Sequence, residues 1–459
     1  MSDLFSMLGR TVKALDAQRY GLDVTGQNIA NVNTPGYVRR TALFVETPPP
    51  DPYTPGGGVD VAAVLASRAP LVEGRLRYEQ PLASSQGAIA DQLAILESGL
   101  GQAGSSLDAS LTRFYNAHAT LAQTPTSGVA RQQVVVQGEL LSRAFNDMSA
   151  RFESQRRSAD AEIRADVGQL NALAAQLADI NLQIAQTDPS TAPGLFDQQS
   201  QVIKAMSNLI DLNVVTSGNG VIDVSIGNGR ALVIGSTVYD ITPSFNSAGY
   251  SALFTDGAAV TTDVTTEIGG GRIGGLLRVR DALIPGYTAR LDQLAYSVAT
   301  DVNAITTSGY DLNGNPGVNF FAPPAGVAGA ASLLRVNPAV AADNSLVVTS
   351  STTAPGNNDL ALAISRLQDA VMTGGTAKPV EGWGALVYEV ATDSSQAKQS
   401  KDAHEQVARQ LNNLWDQISG VSIDEEAATL MRFQSAYEAN AKFFQIVDET
   451  LAVLMRLGS

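Results

Sequence analysis

The chain has 459 residues, with 30 basic against 45 acidic side chains for a net charge of −15, no cysteine and two histidines. The acidic balance speaks against a nucleic-acid-binding surface, and the missing cysteines exclude disulfides, thiolate catalysis and cysteine metal sites. His118 and His404 leave little for imidazole chemistry, and no run of about 18 apolar residues offers a membrane span.

Residues 3–31 read as a helix in which Leu8, Leu15, Leu22 and Ile29 recur at heptad spacing, with Phe5 and Val12 beside them. The helix stops at 30–40. There Pro35 presets φ and Gly36 takes φ > 0, the two central positions of a type II turn. Alternation through Ala42-Leu43-Phe44-Val45 predicts a short strand, and 48–58, with Pro48, Pro49, Pro50, Asp51 and Pro52 before Gly56-Gly57-Gly58, predicts a connector. A strand is expected at 59–64, and helix from 88 onward, through Ile89, Leu93, Leu96 and Leu100 and then Leu107, Leu111, Phe114 and Leu121. His118 falls there and is expected at a helix surface or boundary. After the turn at 125–128 a very long helix, 130–186, holds Ile163, Leu170, Leu177 and Ile184 in heptad register.

Composition shifts at Leu212. Alternating runs on either side of Asn228-Gly229 signal a hairpin, and further short runs at 237–240, 251–254 and 259–267 make a small all-β insert. Residues 269–274 match G-x-G-x-x-G, but hairpins precede them and no βαβ unit is visible, so a dinucleotide loop is not expected. A further heptad row, Ile284, Leu291, Val298 and Ile305, marks the return helix. The segment 311–315 resembles the start of an EF-hand loop, yet Pro316 stands where the glycine belongs and Ala322 where the bidentate glutamate belongs, so no calcium site is expected. His404-Glu405 opens a zincin motif that Ala408 breaks. Residues 322–380 are rich in Ala, Gly and Pro, with one short helix at 359–371, and helix returns from 383 to the end. In its last part Ile423, Leu430, Tyr437, Phe444 and Leu451 keep heptad spacing, with Phe433, Val447 and Leu454 in the companion row. Ser422 to Glu425 reads as a capping box, and Asp424, Glu425 and Glu426 suit the positive helix end.

Two motifs carry a resemblance. Asn31, Asn33, Thr34, Pro35, Gly36 and Tyr37 after an N-terminal heptad helix resemble the axial proteins of the bacterial flagellum: rod, hook and hook-associated proteins. Gly420 to Glu426 with Arg432-Phe433-Gln434, Tyr437 and Ala439-Asn440-Ala441-Lys442 is similar to the hook-associated branch in particular, and Leu195 to Gln198 and the 311–321 segment also resemble it. The resemblance implies a structural component joining hook to filament through paired terminal helices, with no enzymatic activity and no cofactor. It further implies a homo-oligomer in a helical or ring assembly, hook protein below, a second hook-associated protein above and an export chaperone on the C-terminal helix. The N-terminus lacks the apolar core of a signal peptide, so the extracellular destination requires the flagellar type III route.

The expected architecture is mainly α with an all-β insert: a long-helix bundle or coiled coil built from both termini. Its parts are an N-terminal axial coiled-coil segment 1–47, an extended linker and short strand 48–88, the first part of a helical domain 89–211, a β-rich outer domain 212–272, a return helix 273–310, an irregular or small α+β segment 311–380, and at 381–459 the end of the helical domain with the C-terminal axial coiled-coil helix. The expected assembly interface is Leu8, Leu15, Leu22, Ile29, Ile423, Leu430, Tyr437, Phe444 and Leu451. Two alternatives stand beside it: a secreted adhesin or lectin-like module on a helical stalk, and another axial protein of hook or rod type.

Overall fold

The computed structural model describes residues 2–48, 56–100, 106–187, 192–256, 261–354 and 356–457. In chain order the elements begin with α1 (Ser2–Ala30), β1 (Arg40–Glu46), β2 (Val59–Ala66), α2 (Pro70–Leu100), α3 (Leu107–Gln123), α4 (Gly128–Gln186) and α5 (Pro193–Leu209). Seven strands follow: β3 (Leu212–Thr216), β4 (Ile222–Ile226), β5 (Arg230–Ile234), β6 (Thr237–Val238), β7 (Ile241–Phe245), β8 (Ser251–Asp256) and β9 (Thr261–Asp263). The chain closes with α6 (Gly271–Arg278), α7 (Ile284–Thr307), α8 (Ala330–Leu333), α9 (Pro338–Ala342), α10 (Asp359–Arg366), α11 (Pro379–Ser419) and α12 (Ile423–Leu457). The protein is mainly α with a small antiparallel β insert, as its periodicities require. The prolines at 49, 50 and 52, Asp51 and the start of the 259–267 run lie outside the described residues.

Helix α4 is the spine of the body. Its apolar row Ile163, Val167, Leu170, Ala174, Leu177 and Ile184 is buried. The second half of α4 also carries polar side chains that act as strand partners. Asn171 donates to the Ile241 carbonyl (2.9 Å) and accepts from its N–H (3.0 Å), while Asn181 donates to the Ile222 and Gly235 carbonyls and accepts from the Ile222 N–H. The buried Asn181 and the half-buried Asn171 thus saturate strand groups that would otherwise be orphaned. The insert is two antiparallel sheets, β3-β4-β5-β6 and β7-β8-β9. A second tie is the buried Arg280, which reaches Asp160 at 2.7 Å and the Ser251 carbonyl at 2.6 Å. Arg280 stands on a single π turn, Val279–Leu283, that links α6 to α7. Pro285, at the head of α7, has no N–H for a regular helical bond there.

The glycine-rich run has a packing role. Gly271 takes φ +69, and a Cβ on it would strike the backbone at 209–210. Gly275 lies against the Ser85 carbonyl on α2. The insert therefore leaves and re-enters the body at one point, with Gly270 N–H donating to Asp211 at 3.2 Å. In the 311–315 turn the Asp311 carboxylate accepts from the N–H groups of Asn313 and Asn315 (both 2.8 Å) and from the Asn315 side chain (3.1 Å). Its lone pairs hold the turn itself. Buried Arg131 fastens the downstream segment to α4 by donating to the Val347 carbonyl and Thr349.

Two expectations are corrected. Helix α2 begins at Pro70, so 70–88 is not linker. Gly74 and Pro81 interrupt its pattern, and what makes it helical is its long antiparallel pairing with α11. Along that pairing Glu79 is buried between Arg75 (2.9 Å) and His404 Nδ1 (2.9 Å). The second correction is His118, which is 0% exposed rather than at a surface. Phe320, brought in by the segment after α7, lies edge-on to its ring with centroids 5.8 Å apart, and Phe114 stands 4.7 Å away. The imidazole Nδ1 donates to the Phe114 carbonyl (3.2 Å), while Nε2 has no partner.

Burial pushes the His118 pKa down to about 4, against a small opposing effect of the Phe114 carbonyl. Between that value and an ordinary histidine near 6.5 the unfolded chain binds more protons, so stability falls as pH drops through this window. The total loss is on the order of 3 kcal/mol. Urea unfolding between pH 7 and pH 4 should show this slope in the native chain and lose most of it in His118→Phe.

Candidate assembly interface and its joint

Helices α1 and α12 lie side by side as an arm, with the β1–β2 hairpin against them. The inward face of α1 is made of Thr11, Ala17, Gly21, Val24, Thr25 and Asn28, all buried. These are small residues, so the two axes can approach closely. A Cβ on Gly21 would lie 2.9 Å from the Phe433 ring, and Phe44 of β1 meets that ring edge-on at 5.8 Å. From α12, Glu426, Val447 and Leu451 complete the buried seam.

This seam is not the one that heptad counting selects. Leu8, Leu15, Leu22 and Ile29 are half-buried on the flank of α1, and Leu430 and Phe444 are half-buried on α12. Ile423 is 55% and Tyr437 38% exposed. Of the nine expected residues only Leu451 is fully inside. The physical reason is width: a seam lined by glycine, alanine and threonine has no room for a leucine row. The leucines are displaced sideways, where they remain partly available to another molecule.

At the base of the arm the turn forms as expected. Gly36 has φ +77 and Tyr37 N–H donates to the Thr34 carbonyl at 3.2 Å, closing a type II turn. Thr34 Oγ1 donates to Asn31 Oδ1 (3.1 Å), Asn31 Nδ2 donates to the Gln27 carbonyl (2.9 Å), and the Pro35 carbonyl accepts from Gln201 of α5 (2.5 Å). Asn33 stays on the surface.

Behind the turn lies a polar joint that sequence reasoning did not single out. Asn28, buried on α1, uses its whole hydrogen-bonding capacity. Its amide nitrogen donates to the Arg40 carbonyl (2.8 Å) and to Glu426 (2.9 Å); its oxygen accepts from the Tyr37 hydroxyl (2.9 Å) and the Arg40 N–H (3.1 Å). Arg39 then clamps α12 from outside, reaching Glu426 at 2.8 Å and Glu425 at 3.0 Å. Glu425, expected as the capping-box partner of Ser422, turns to this arginine instead. A second clamp ties the arm to the body: Arg40 and Arg68 both reach Asp197 of α5, at 2.9 and 2.8 Å. Arg39 N–H and Ser67 Oγ cap the end of α11 at the Ser419 and Ile418 carbonyls, each at 2.8 Å.

Burial lifts the Asp197 carboxyl above its ordinary range, against the opposing pull of the two guanidiniums. Burial likewise raises the Tyr37 hydroxyl. Such shifts accompany desolvated ion pairs as well as active sites; here the two guanidiniums share the Asp197 carboxylate, while the buried Arg40 Nε is left without a hydrogen-bond partner. Among the described residues no group of three or more His, Asp or Glu could hold a metal ion. Tyr37 of the turn motif, Asp197 inside the Leu195 to Gln198 segment, and the acidic start of α12 carried a sequence signal for this joint; Asn28, Arg39, Arg40 and Arg68 were not singled out for it.

Three family models match the chain. Residues 93–321 match the flagellar hook-associated protein FlgK helical domain, 416–457 the flagellar basal body rod FlgEFG protein C-terminal, and 11–37 the flagella basal body rod protein. The last two cover the arm and the first covers most of the body. Flagellar hook-associated protein 1 of Escherichia coli (strain K12) is 24% identical over 546 aligned residues, covering 98% of this chain and 100% of that protein. The Bacillus subtilis (strain 168) protein of the same name is 24% identical over 500, with 98% of each chain covered. Among solved structures, the flagellar hook junction protein FlgK from Burkholderia pseudomallei aligns with TM-score 0.67 at 16% identity, over 74% of this chain and 99% of that one. An arm made from both termini, on a helical body with a β insert, defines an axial structural component of the bacterial flagellum. Within that class, the chain belongs to the flagellar hook-associated protein 1 family.

Replacing Asn28 by alanine strands the Arg40 carbonyl and N–H, the Tyr37 hydroxyl and part of Glu426. At about 1–3 kcal/mol for each buried group left unpaired, the arm loses at least about 3 kcal/mol. Hydrogen exchange should show faster amides at 20–30 and 423–433 in Asn28→Ala, with those of α4 unchanged.

Proposed function

We propose that this chain joins hook to filament as a homo-oligomer in a helical or ring assembly, with hook protein below it and a second hook-associated protein above it. One observation carries the reading: Asn28 and Glu426, 398 residues apart, are bonded in the base of one arm, and the outer face of α12 exposes large apolar side chains among its charged ones. Met431 and Ile446 are 60% and 61% exposed, and Val453 lies on the same side. A stripe of this kind on a soluble subunit marks a surface meant to be covered. In the assembly its cover is neighbouring subunits; before export through the flagellar type III channel it is a chaperone on α12. The half-buried Leu8, Leu15, Leu22 and Ile29, with exposed Ile423 and Tyr437, supply the remaining contact surface.

Complementation of a deletion strain tests this. Wild-type chain should restore filaments seen by electron microscopy, and removing 212–270 should affect them less than removing 1–45. The reverse order would favour an adhesive head on a stalk. Because Met431 and Ile446 are exposed, Met431→Asp with Ile446→Asp should leave thermal stability within about 0.5 kcal/mol of wild type. Filaments per cell should nevertheless fall by roughly tenfold or more, the effect of losing about 1.4 kcal/mol at each contact. Hydrogen exchange supplies a second check. A lone two-helix arm is marginal, so amides of α1 and α12 should exchange much faster in the free subunit than in the assembled flagellum.

A further inference from the structure

Asparagine followed by glycine occurs three times in the chain, at 219–220, 228–229 and 313–314. Such a pair is reactive, because glycine has no side chain to hinder its main-chain nitrogen from attacking the asparagine carboxamide. All three pairs sit in turns, and their glycine N–H groups are held alike. Gly220 donates to the Ser217 carbonyl (2.9 Å), Gly229 to the Ile226 carbonyl (3.1 Å) and Gly314 to the Asp311 carbonyl (3.2 Å). The carboxamides are what differ. Asn219 Oδ1 accepts from the Val221 N–H at 3.3 Å, and Asn313 Nδ2 donates to Ser345 Oγ at 3.2 Å. Asn228 is exposed at the tip of the β4–β5 hairpin, and among the described residues its carboxamide has no hydrogen-bond partner.

We propose that Asn228 is a modification site, deamidating in the folded chain ahead of the other two asparagines, and that the product loosens this end of the β insert. The Gly229 nitrogen gives up its proton and bonds to Asn228 Cγ. The Cγ–Nδ2 bond breaks, and ammonia leaves with that proton. Water then opens the resulting succinimide at either carbonyl, giving aspartate or isoaspartate, and is the only co-reactant. Either product disturbs the same contacts. The Glu267 carboxylate accepts from the Asn228 N–H at 3.5 Å and stands 3.6 Å from Arg230, and a Cβ on Gly227 would strike the Glu267 side chain. A carboxylate at 228 sets a second negative charge there and competes with Glu267 for Arg230. Isoaspartate also adds a carbon to the main chain between β4 and β5, against the register that pairs Ile226 with Arg230.

Peptide mapping of the purified full chain, stored in mildly alkaline buffer, tests this. Mass spectrometry reads the gain that turns an amide into an acid, and enzymatic methyl labelling reads isoaspartate. Residue 228 should convert about fivefold or more faster than 219 and 313, which must each release a hydrogen bond before attack. In urea the three rates should converge, since no carboxamide is held there. A folded-state rate at 228 no higher than at 219 or 313 would overturn the site. So would the same excess at 228 in urea, because sequence rather than fold would then set it. Hydrogen exchange reads the consequence. Amides at 224–233 should exchange faster in the stored chain and in Asn228→Asp, and should not change with storage in Asn228→Gln, whose longer side chain cyclises far more slowly. A chain converted at 228 that exchanges like the fresh one would sink the loosening.

Discussion

Everything at the arm's base depends on one amide. Asn28 touches α1's own exit segment, the turn that follows it and, through Glu426, the helix at the far end of the chain. An apolar residue in its place would leave several main-chain and side-chain groups buried without partners, and a charged one would repel either Glu426 or Arg39. Full use of the Asn28 amide makes the joint specific: rotating α12 relative to α1 breaks several bonds at once rather than sliding along a greasy seam. The Arg39 and Asp197 clamps then pass that orientation to the body.

The second constraint is the narrowness of the α1–α12 seam. Small residues at Thr11, Ala17 and Gly21 bring the helices together with little apolar area between them, and Phe433 fills the one notch that Gly21 leaves. Apart from Phe433, Val447 and Leu451, the bulky residues of both helices therefore stand mostly at the margins or face outward. An arm built this way is modestly stabilised alone and well equipped to bury more surface against neighbours. Folding and assembly share the same side chains.

In the body, polar groups on α4 do the fastening that apolar packing leaves undirected. Asn171, Asn181 and Asp160 each meet one piece of the β insert, and Arg131 meets the segment after α7. A long helix with ordinary apolar rows could accept a sheet in several registers. Paired amide bonds to Ile222 and Ile241 permit one.

Periodicity and turn chemistry were legible in the sequence because they are local. The long helix α4, the hairpin around Asn228-Gly229, the type II turn at Pro35-Gly36 and the split between helical body and β insert all follow from spacing and allowed dihedrals. So did the family, through motifs at both ends. Tertiary structure alone decided which face of each terminal helix turns inward. Heptad counting picks the largest apolar residues, whereas the seam selects the smallest ones because they allow the axes to close. It also decided the helicity of 70–88, the burial of His118 and the convergence of Asn28, Arg39, Arg40, Arg68, Asp197 and Glu426. Each of these depends on a partner distant in sequence, and a polar residue shows no sign in the sequence of whether it will face water or another polar group.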